Sequence, residues 1–362
     1  MNNGNIKTEG IRYTGSKKTV IPKIINLISN LQIRTTLDAF SGTTRVGQAF
    51  KQLGYDVDSN DLAEYSKVFG LCYLVNNKPK KDFQEKVKHL NSLVGIEGYF
   101  TQNYGGEDNA GSSIQQDGKK RIWQRKNTTK LDAIREEIDK ISENDIEKAV
   151  LLTSLILALD KVDNSLGHQV SYLVKWSSRS YEDIELKVPE LLSGNADYNI
   201  LQQDAKTISK SYDLIYVDPP YGTNNQITKT TRVRYASYYH LWTTVCKNDK
   251  PKVFGAANRR EDVSSDTIEG AVSAYEHTHY DVVKGEIKEL VDKLNAKYIV
   301  FSYSSKSKVS IDDLRKIFNQ YNLLKEDAFE HKENVMKICV GNKKWLGDMS
   351  ANYEYLFLIQ KT

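Results

Sequence analysis

The sequence predicts an α/β protein built on a mostly parallel sheet, and three stretches predict it. Leu214-Ile215-Tyr216-Val217 is a short apolar run without polar alternation, the pattern of a strand buried on both faces, and it breaks off into Asp218-Pro219-Pro220-Tyr221. Thr36 to Phe40 reads as a second strand, followed by a glycine turn, a helix to about Leu53 and a further strand ending at Asp61. Tyr298 to Tyr303 repeats the strand pattern after a helical segment, Tyr280 to Leu294. Strands that alternate with helices argue for parallel pairing. Val335 to Val340 and Tyr353 to Ile359 read as a closing hairpin, which makes one edge antiparallel.

The chain has 362 residues, 39% hydrophobic and 27% charged, with a net charge of +4. That length supports one large or two modest domains with a substantial core. The mild basicity permits a basic cleft without demanding nucleic acid. Cys72, Cys246 and Cys339 are scattered and odd in number, which fits a reducing compartment, packing roles and no disulfide frame or metal site. Met1 to Gly10 is polar, and the longest apolar stretch, Ala149 to Leu159, is interrupted by Thr153 and Ser154 and too short to span a bilayer. The expectation is a cytoplasmic protein with no membrane and no metal.

Taken in order, Arg12-Tyr13-Thr14-Gly15-Ser16-Lys17 precedes an amphipathic helix, Ile21 to Leu31. A Gly-Ser turn at a helix start can present N–H groups to an anion, and it can equally be an ordinary cap. In the βαβ opening, Gly42 would let a ligand approach the backbone, and Asp61 at the second strand end could accept hydrogen bonds from ribose hydroxyls. The glycine spacing is not that of a dinucleotide fingerprint, because Thr44 stands where a second glycine is expected. An unliganded βαβ unit would read the same way.

From about Val75 to Pro189 the pattern turns helical, with segments at Lys81–Val94, Leu131–Ser142 and Asp145–Lys161. Between them lie a glycine-rich loop, Tyr104 to Gly118, and a basic-aromatic patch that includes Lys120, Arg121, Trp123, Arg125 and Lys126. Such a patch suits phosphate contacts, and a solvated loop is the alternative. Asn164 to Trp176 is polar and aromatic, and His168 there reads as a local hydrogen-bonding residue. Asp204 could again face a ligand from a strand end. Beyond Tyr221, the Thr223–Arg234 loop, with Arg232 and Arg234, leads to Tyr235, Tyr238, Tyr239, His240 and Trp242, a composition suited to stacking and base-edge contacts. Arg259 and Arg260 add a further basic spot. The expected division is 1–75, 76–190 as a mainly helical insert, and 191–362.

The chemistry concentrates at Asp218-Pro219-Pro220-Tyr221. Two prolines forbid a continuing ladder or helix, so the chain must leave the sheet there on a stiff loop at a strand's carboxyl end. Open α/β sheets place ligands at such ends. An exocyclic amino group on a nucleobase is planar and a poor nucleophile, because its lone pair is shared with the ring. A carboxylate at Asp218 and a carbonyl at Pro219 that each accept one of its hydrogens would draw the nitrogen toward a tetrahedral shape. Tyr221 could stack on the base, worth on the order of 1–3 kcal/mol. Positioning would carry the rate more than acid–base chemistry.

Together these pieces resemble the S-adenosylmethionine-dependent DNA adenine N6-methyltransferases of the Asp-Pro-Pro-Tyr type, in the restriction–modification branch that includes the FokI methylase. The order matches: Tyr13 to Lys17, then Asp38 to Gly42, a helical insert, then Asp218 to Tyr221. It extends to Asn60-Asp61, Ile134-Arg135, Asn164, Gly167, His168, Tyr172, Lys175, Tyr239-His240 and Ser302-Tyr303, and so covers nearly the whole chain. Thr44 and Gly222, which stands where the branch has asparagine, are departures. The resemblance implies a Rossmann-like methyltransferase sheet, mostly parallel with an antiparallel edge strand, plus a helical target-recognition insert. By the same resemblance, Tyr13, Gly15 and Lys17 would lie near the methionine part of S-adenosyl-L-methionine, and Asp38, Phe40 and Gly42 would line its pocket. Asp61 would meet its ribose and Asp204 its adenine, with Asp218 alongside. Asp218, Pro219, Pro220 and Tyr221 would act on a flipped adenine. Lys120, Arg121, Arg125, Lys126, Arg232, Arg234, Tyr239, Arg259 and Arg260 would contact double-stranded DNA.

Serine in place of Asp218 would favour cytosine N4, and asparagine a glutamine amide, so the aspartate favours adenine. Cytosine C5 chemistry needs a cysteine nucleophile, and none sits in a suitable loop. An RNA adenine and a catalytically silent nucleic-acid-binding subunit are the remaining alternatives. The silent subunit would be expected to have lost Asp218 or Gly42, and both are present. A cognate restriction endonuclease is a partner on which the sequence is silent.

Overall fold

The structure, a computed structural model, describes residues 6–220, 234–263, 273–330, 339–340, 343–344 and 352–361. Seven strands form the main sheet: β1 (Thr35–Asp38), β2 (Asp56–Asn60), β3 (Tyr198–Leu201), β4 (Tyr212–Val217), β5 (Ala296–Ser304), β6 (Asn322–Glu330) and β7 (Tyr353–Gln360). Their spatial order is β6-β7-β5-β4-β1-β2-β3. The pairs from β5 to β3 are all parallel, and β7 runs antiparallel to both β5 and β6. The fold is the expected mixed α/β sheet with its antiparallel pairings at one edge.

Side chains alternate between two cores with the period of a strand. Leu37, Ile215, Ile299, Phe301 and Phe357 face the helices Tyr280–Lys293 and Ile311–Phe318, through Val283, Ile287, Leu290, Leu314 and Phe318. Val57, Leu214, Tyr216, Val300 and Leu356 face Ile21–Ile28 and Arg45–Gln52, through Ile21, Ile24, Val46 and Phe50. Both faces of β4 and β5 are therefore dry, which is why those strands read as apolar runs without alternation.

The closing hairpin is corrected. β7 pairs with β5 and with β6, not with Val335 to Val340. Residues 335–338 lie outside the described residues, and Cys339–Val340 pairs with Lys343–Lys344 in a short ribbon. β6 escaped sequence reading because Lys325, Glu326 and Asp327 interrupt it. Charge on an edge strand blocks further pairing and also hides the strand's periodicity.

The insert is helical: Lys81–Ser92, Tyr99–Tyr104, Arg125–Ile141 and Asp145–Val162. Asn144 caps the last of these, its side chain accepting from the Glu147 N–H at 3.0 Å. The helix expected to begin at Leu131 begins at Arg125, so Arg125 and Lys126 form its first turn. Basic residues there oppose the helix dipole, which masked the start. A third core joins these helices to Tyr65 and Phe69 and also to Tyr239, Leu241, Trp242 and Val245 from beyond the Asp218-Pro219-Pro220 turn. Buried Arg135 ties the two parts together. Its guanidinium donates to the carbonyls of Val245 at 2.5 Å and Cys246 at 3.0 Å, at the end of the helix His240–Lys247. Among the described residues, no helix is long and apolar enough to cross a membrane, and no His, Cys, Asp and Glu group is placed to hold a metal.

Candidate active site

Four aspartates stand at the carboxyl ends of four adjacent strands. Asp218 follows β4, Asp38 ends β1, Asp61 follows β2 and Asp204 lies just past β3. The strand order turns between β1 and β4, and this is the switch point where open sheets bind ligands. A cavity of about 640 Å³ opens there, lined by Tyr13, Gly15, Lys17, Asp38, Phe40, Gly42, Asp61, Asp204, Asp218, Pro219 and Pro220. The structure thus brings together every residue expected at the cofactor, and three of the four expected at the reacting base. Tyr221 lies outside the described residues, as do Gly222 and Arg232.

The strand ends are stitched to one another. Asp61 accepts from the Gly42 N–H at 2.8 Å and the Ala63 N–H at 2.9 Å. Asn60 donates to the carbonyls of Ala39 and Gln203, each at 3.1 Å, and so bridges the ends of β1, β2 and β3. Gly42 adopts a φ of +49°, and a Cβ there would lie 3.3 Å from the Tyr13 ring. Thr44, the departure from the glycine pattern, nevertheless keeps the left-handed backbone a glycine would take, with φ at 59°. That conformation costs a threonine roughly 1–2 kcal/mol, so the loop is held by its surroundings.

The charges are unusual for so buried a place. Asp38 accepts from the Gly47 N–H at 3.1 Å through Oδ2, while Oδ1 is buried with no hydrogen-bond partner. Burial pushes its carboxyl up to about 8 against that hydrogen bond, with Asp218 and Asp61 adding repulsion. Burial likewise raises Asp218 to about 7, Lys17 opposing and Glu354 assisting. The Lys17 ammonium sits 3.0 Å from Asp218 Oδ1 and 2.8 Å from Glu354 Oε1. Both carboxylates should be mostly ionised only above neutral pH. We therefore expect kcat/KM for the cofactor, which reports the free enzyme, to fall as pH drops from 8 through 7, and a pH–rate profile checks this.

Around the mouth, Tyr13 stacks on Tyr239 with centroids 4.2 Å apart, and the Tyr239 hydroxyl accepts from the Thr14 N–H at 2.6 Å. The Tyr13 hydroxyl meets that of Tyr65 at 3.1 Å. Sequence reading missed several wall residues: Leu62, Tyr65, Ala205 and Tyr275. Leu62 carried a signal, an apolar side chain directly after a strand-end acid, and it is 67% exposed. Ala205 and Tyr275 carried none, because their places depend on how the chain returns to the sheet.

The residues expected to meet DNA separate into two sets. Arg260 is buried between Asp249 and Asp262, each at 2.7 Å, and Arg121 is buried against Asp117 at 2.8 Å. Tyr239 is buried in the aromatic stack. The structure does not place these three outward: the two arginines are already desolvated and paired with carboxylates, and Tyr239 is enclosed by other rings. Lys120, Arg125, Lys126, Arg234 and Arg259 retain exposure. Arg125 pairs with Glu97 and Glu107, Lys126 with Asp183 at 2.5 Å, and Arg259 lies over the Phe254 ring at 4.5 Å. His168 packs its ring 4.8 Å from that of Tyr238. Arg260→Ala should cost about 1–3 kcal/mol of stability, its partners being half exposed, and leave the salt dependence of DNA binding unchanged. Lys120→Ala should do the reverse, reducing the salt slope by about 1 with little effect on stability. Urea denaturation and binding titrations against salt separate the two.

Comparison with known proteins bears on this geometry. The model of the D12 class N6 adenine-specific DNA methyltransferase family matches residues 13–332. The modification methylase StsI of Streptococcus sanguinis is 28% identical over 97% of this chain and 52% of its own length. The type II methyltransferase M.FokI of Planomicrobium okeanokoites is 26% identical over 97% of this chain and 53% of its own. The type II methyltransferase M.NlaIII of Neisseria lactamica is 25% identical over 97% of this chain and 100% of its own. The chain therefore spans about half the length of the first two relatives and the whole of the third.

Proposed function

Since the chain belongs to the D12 class of N6 adenine-specific DNA methyltransferases, we propose that it transfers the methyl group of S-adenosyl-L-methionine to the N6 amino group of adenine in a specific double-stranded DNA sequence. The observation that carries this reading is the shared wall: Asp218 and Pro219 border the same cavity as Asp38, Gly42 and Asp61. The residues fit the cofactor. The cavity has the size of a small-molecule pocket, and the unpartnered Asp38 Oδ1 is a buried acceptor of the kind an ammonium satisfies. Asp38, Tyr13, Gly15 and Lys17 would hold the methionine part, with Phe40 and Gly42 lining the pocket. Asp61 would take the ribose hydroxyls and Asp204 the cofactor's adenine amino group. Bound there, the cofactor supplies an electrophilic methyl on a sulfonium.

The chain's own work is to present the amino group. A duplex adenine must leave the stack to reach the cavity. Asp218 and the Pro219 carbonyl then accept the two N6 hydrogens, and Tyr221 stacks on the base. Once methylated, the nitrogen is cationic and loses its proton readily, so no strong base is required. The 76–190 insert is the proposed target-recognition part, with Lys120, Arg125 and Lys126, together with Arg232, Arg234 and Arg259, contacting the phosphates. The relatives' names as modification and type II enzymes support a role in a restriction–modification system. That role implies a cytoplasmic, DNA-associated protein and a cognate endonuclease as partner. Incubating the protein with radiolabelled cofactor and duplex DNA, single-stranded DNA or RNA tests the substrate class. Label should enter the duplex; entry into RNA alone would overturn the DNA reading.

A further inference from the structure

Glu354 opens β7, the reversed strand, at a distance in sequence from every motif discussed above. Its carboxylate is nonetheless buried beside the reaction site. β5 lies between β7 and β4, and the register sets Glu354 opposite Ser304 and Val217 opposite Phe301, so the start of β7 comes level with the end of β4. Glu354 Oε1 accepts from the Ser302 hydroxyl at 2.6 Å and from the Lys17 ammonium at 2.8 Å. The same ammonium is 3.0 Å from Asp218 Oδ1. One cation thus lies between the half-buried carboxylate of Asp218 and the buried carboxylate of Glu354, and Ser302 fixes the latter.

We propose that Glu354 is a positioning residue for methyl transfer: by holding the Lys17 ammonium against Ser302, it keeps Lys17 from saturating Asp218 and leaves Asp218 free to accept the N6 hydrogens of adenine. The argument is a competition for lone pairs. An ammonium has three N–H donors and no acceptor. Without a second carboxylate, those donors would turn toward Asp218, and a carboxylate fully paired with a buried cation is a poorer acceptor for an incoming amino group. Glu354 also places negative charge beside Asp218, and this favours the developing cation on N6. Among the described residues, the charged and titratable groups that face Asp218 are Lys17, Glu354, Asp38 and the buried Tyr216 hydroxyl. Of these, Lys17 stabilises the carboxylate and Glu354 opposes it, so removing Glu354 should make Asp218 more acidic.

The inference rests on the adenine N6 reading, and the test keeps the two apart. Glu354→Gln preserves size and a hydrogen-bond acceptor while removing the charge. At saturating cofactor and duplex DNA, its kcat should fall on the order of tenfold, with KM values within about twofold, as expected when an interaction realised in the transition state is lost. Its acid limb in kcat should move to lower pH, which a purely structural role would not do. Glu354→Asp, which keeps the charge, should restore part of the rate. If Glu354→Gln folds and neither kcat nor the acid limb moves, the positioning role is wrong. If it does not fold, Ser302→Ala carries the test, with a smaller shift in the same direction expected and no shift overturning the proposal. Wild-type protein that methylates no adenine would instead sink the reading of the site, whatever the variants do.

Discussion

Asp218→Ala should lower methyl transfer to DNA by on the order of a thousandfold or more while leaving the fold intact. Asp218 leaves β4 on a turn that Pro219 and Pro220 stiffen, so its carboxylate is presented at the cavity wall without an induced change. Removing it takes away the acceptor that draws the N6 lone pair out of the ring, and no neighbouring group stands in. Asp38 is engaged by Gly47 through Oδ2 and, in the proposed reading, by the cofactor's ammonium through Oδ1, and Glu354 is engaged by Lys17 and Ser302. Stability should change little, because the loss leaves Lys17 in a balanced pair with Glu354. Single-turnover transfer into duplex DNA and thermal denaturation of the same preparation check the two halves.

Lys17→Met should have the opposite profile, with a large loss of stability as well as of rate. It removes the ammonium that lies between Asp218 and buried Glu354, and breaking a buried pair in this way costs about 3–5 kcal/mol. The penalty depends on pH in a defined direction. Without the cation, the folded-state value of the Asp218 carboxyl rises further above its unfolded value of about 4. Wild type and variant then bind protons differently only above the wild-type folded value of about 7, so the extra penalty is small below it and grows as pH rises past it. The gap between wild type and variant should therefore narrow between pH 8 and pH 5. Urea denaturation at both values measures it, and an equal loss at both would show that Lys17 acts by packing alone.

Much of this site was legible in the sequence because strand ends are local features. Asp218 follows an apolar run, Asp38 ends a short strand and Asp61 follows another, and alternating strands and helices place such ends on one edge of a parallel sheet. Gly15 and Gly42 were legible for the same reason, since turns at strand and helix ends demand them. Glu354 was not legible. It is joined to Lys17 across 337 positions, and only the insertion of β7 beside β5 brings it to the site. The basic residues were the least readable. Arg121 and Arg260 look like phosphate ligands by composition, yet each is buried and tied to carboxylates, Arg121 to Asp117 and Arg260 to Asp249 and Asp262. Charge in a sequence does not tell whether its partner is a phosphate outside or an aspartate inside.

The most direct test is the identity of the modified nucleoside. Duplex DNA incubated with the protein and S-adenosyl-L-methionine, digested to nucleosides and resolved by mass spectrometry, should contain N6-methyladenine from the wild type and essentially none from Asp218→Ala. N4-methylcytosine in place of N6-methyladenine, or undiminished N6-methyladenine from the variant, would contradict the assignment of Asp218 and Pro219 as the holder of the adenine amino group.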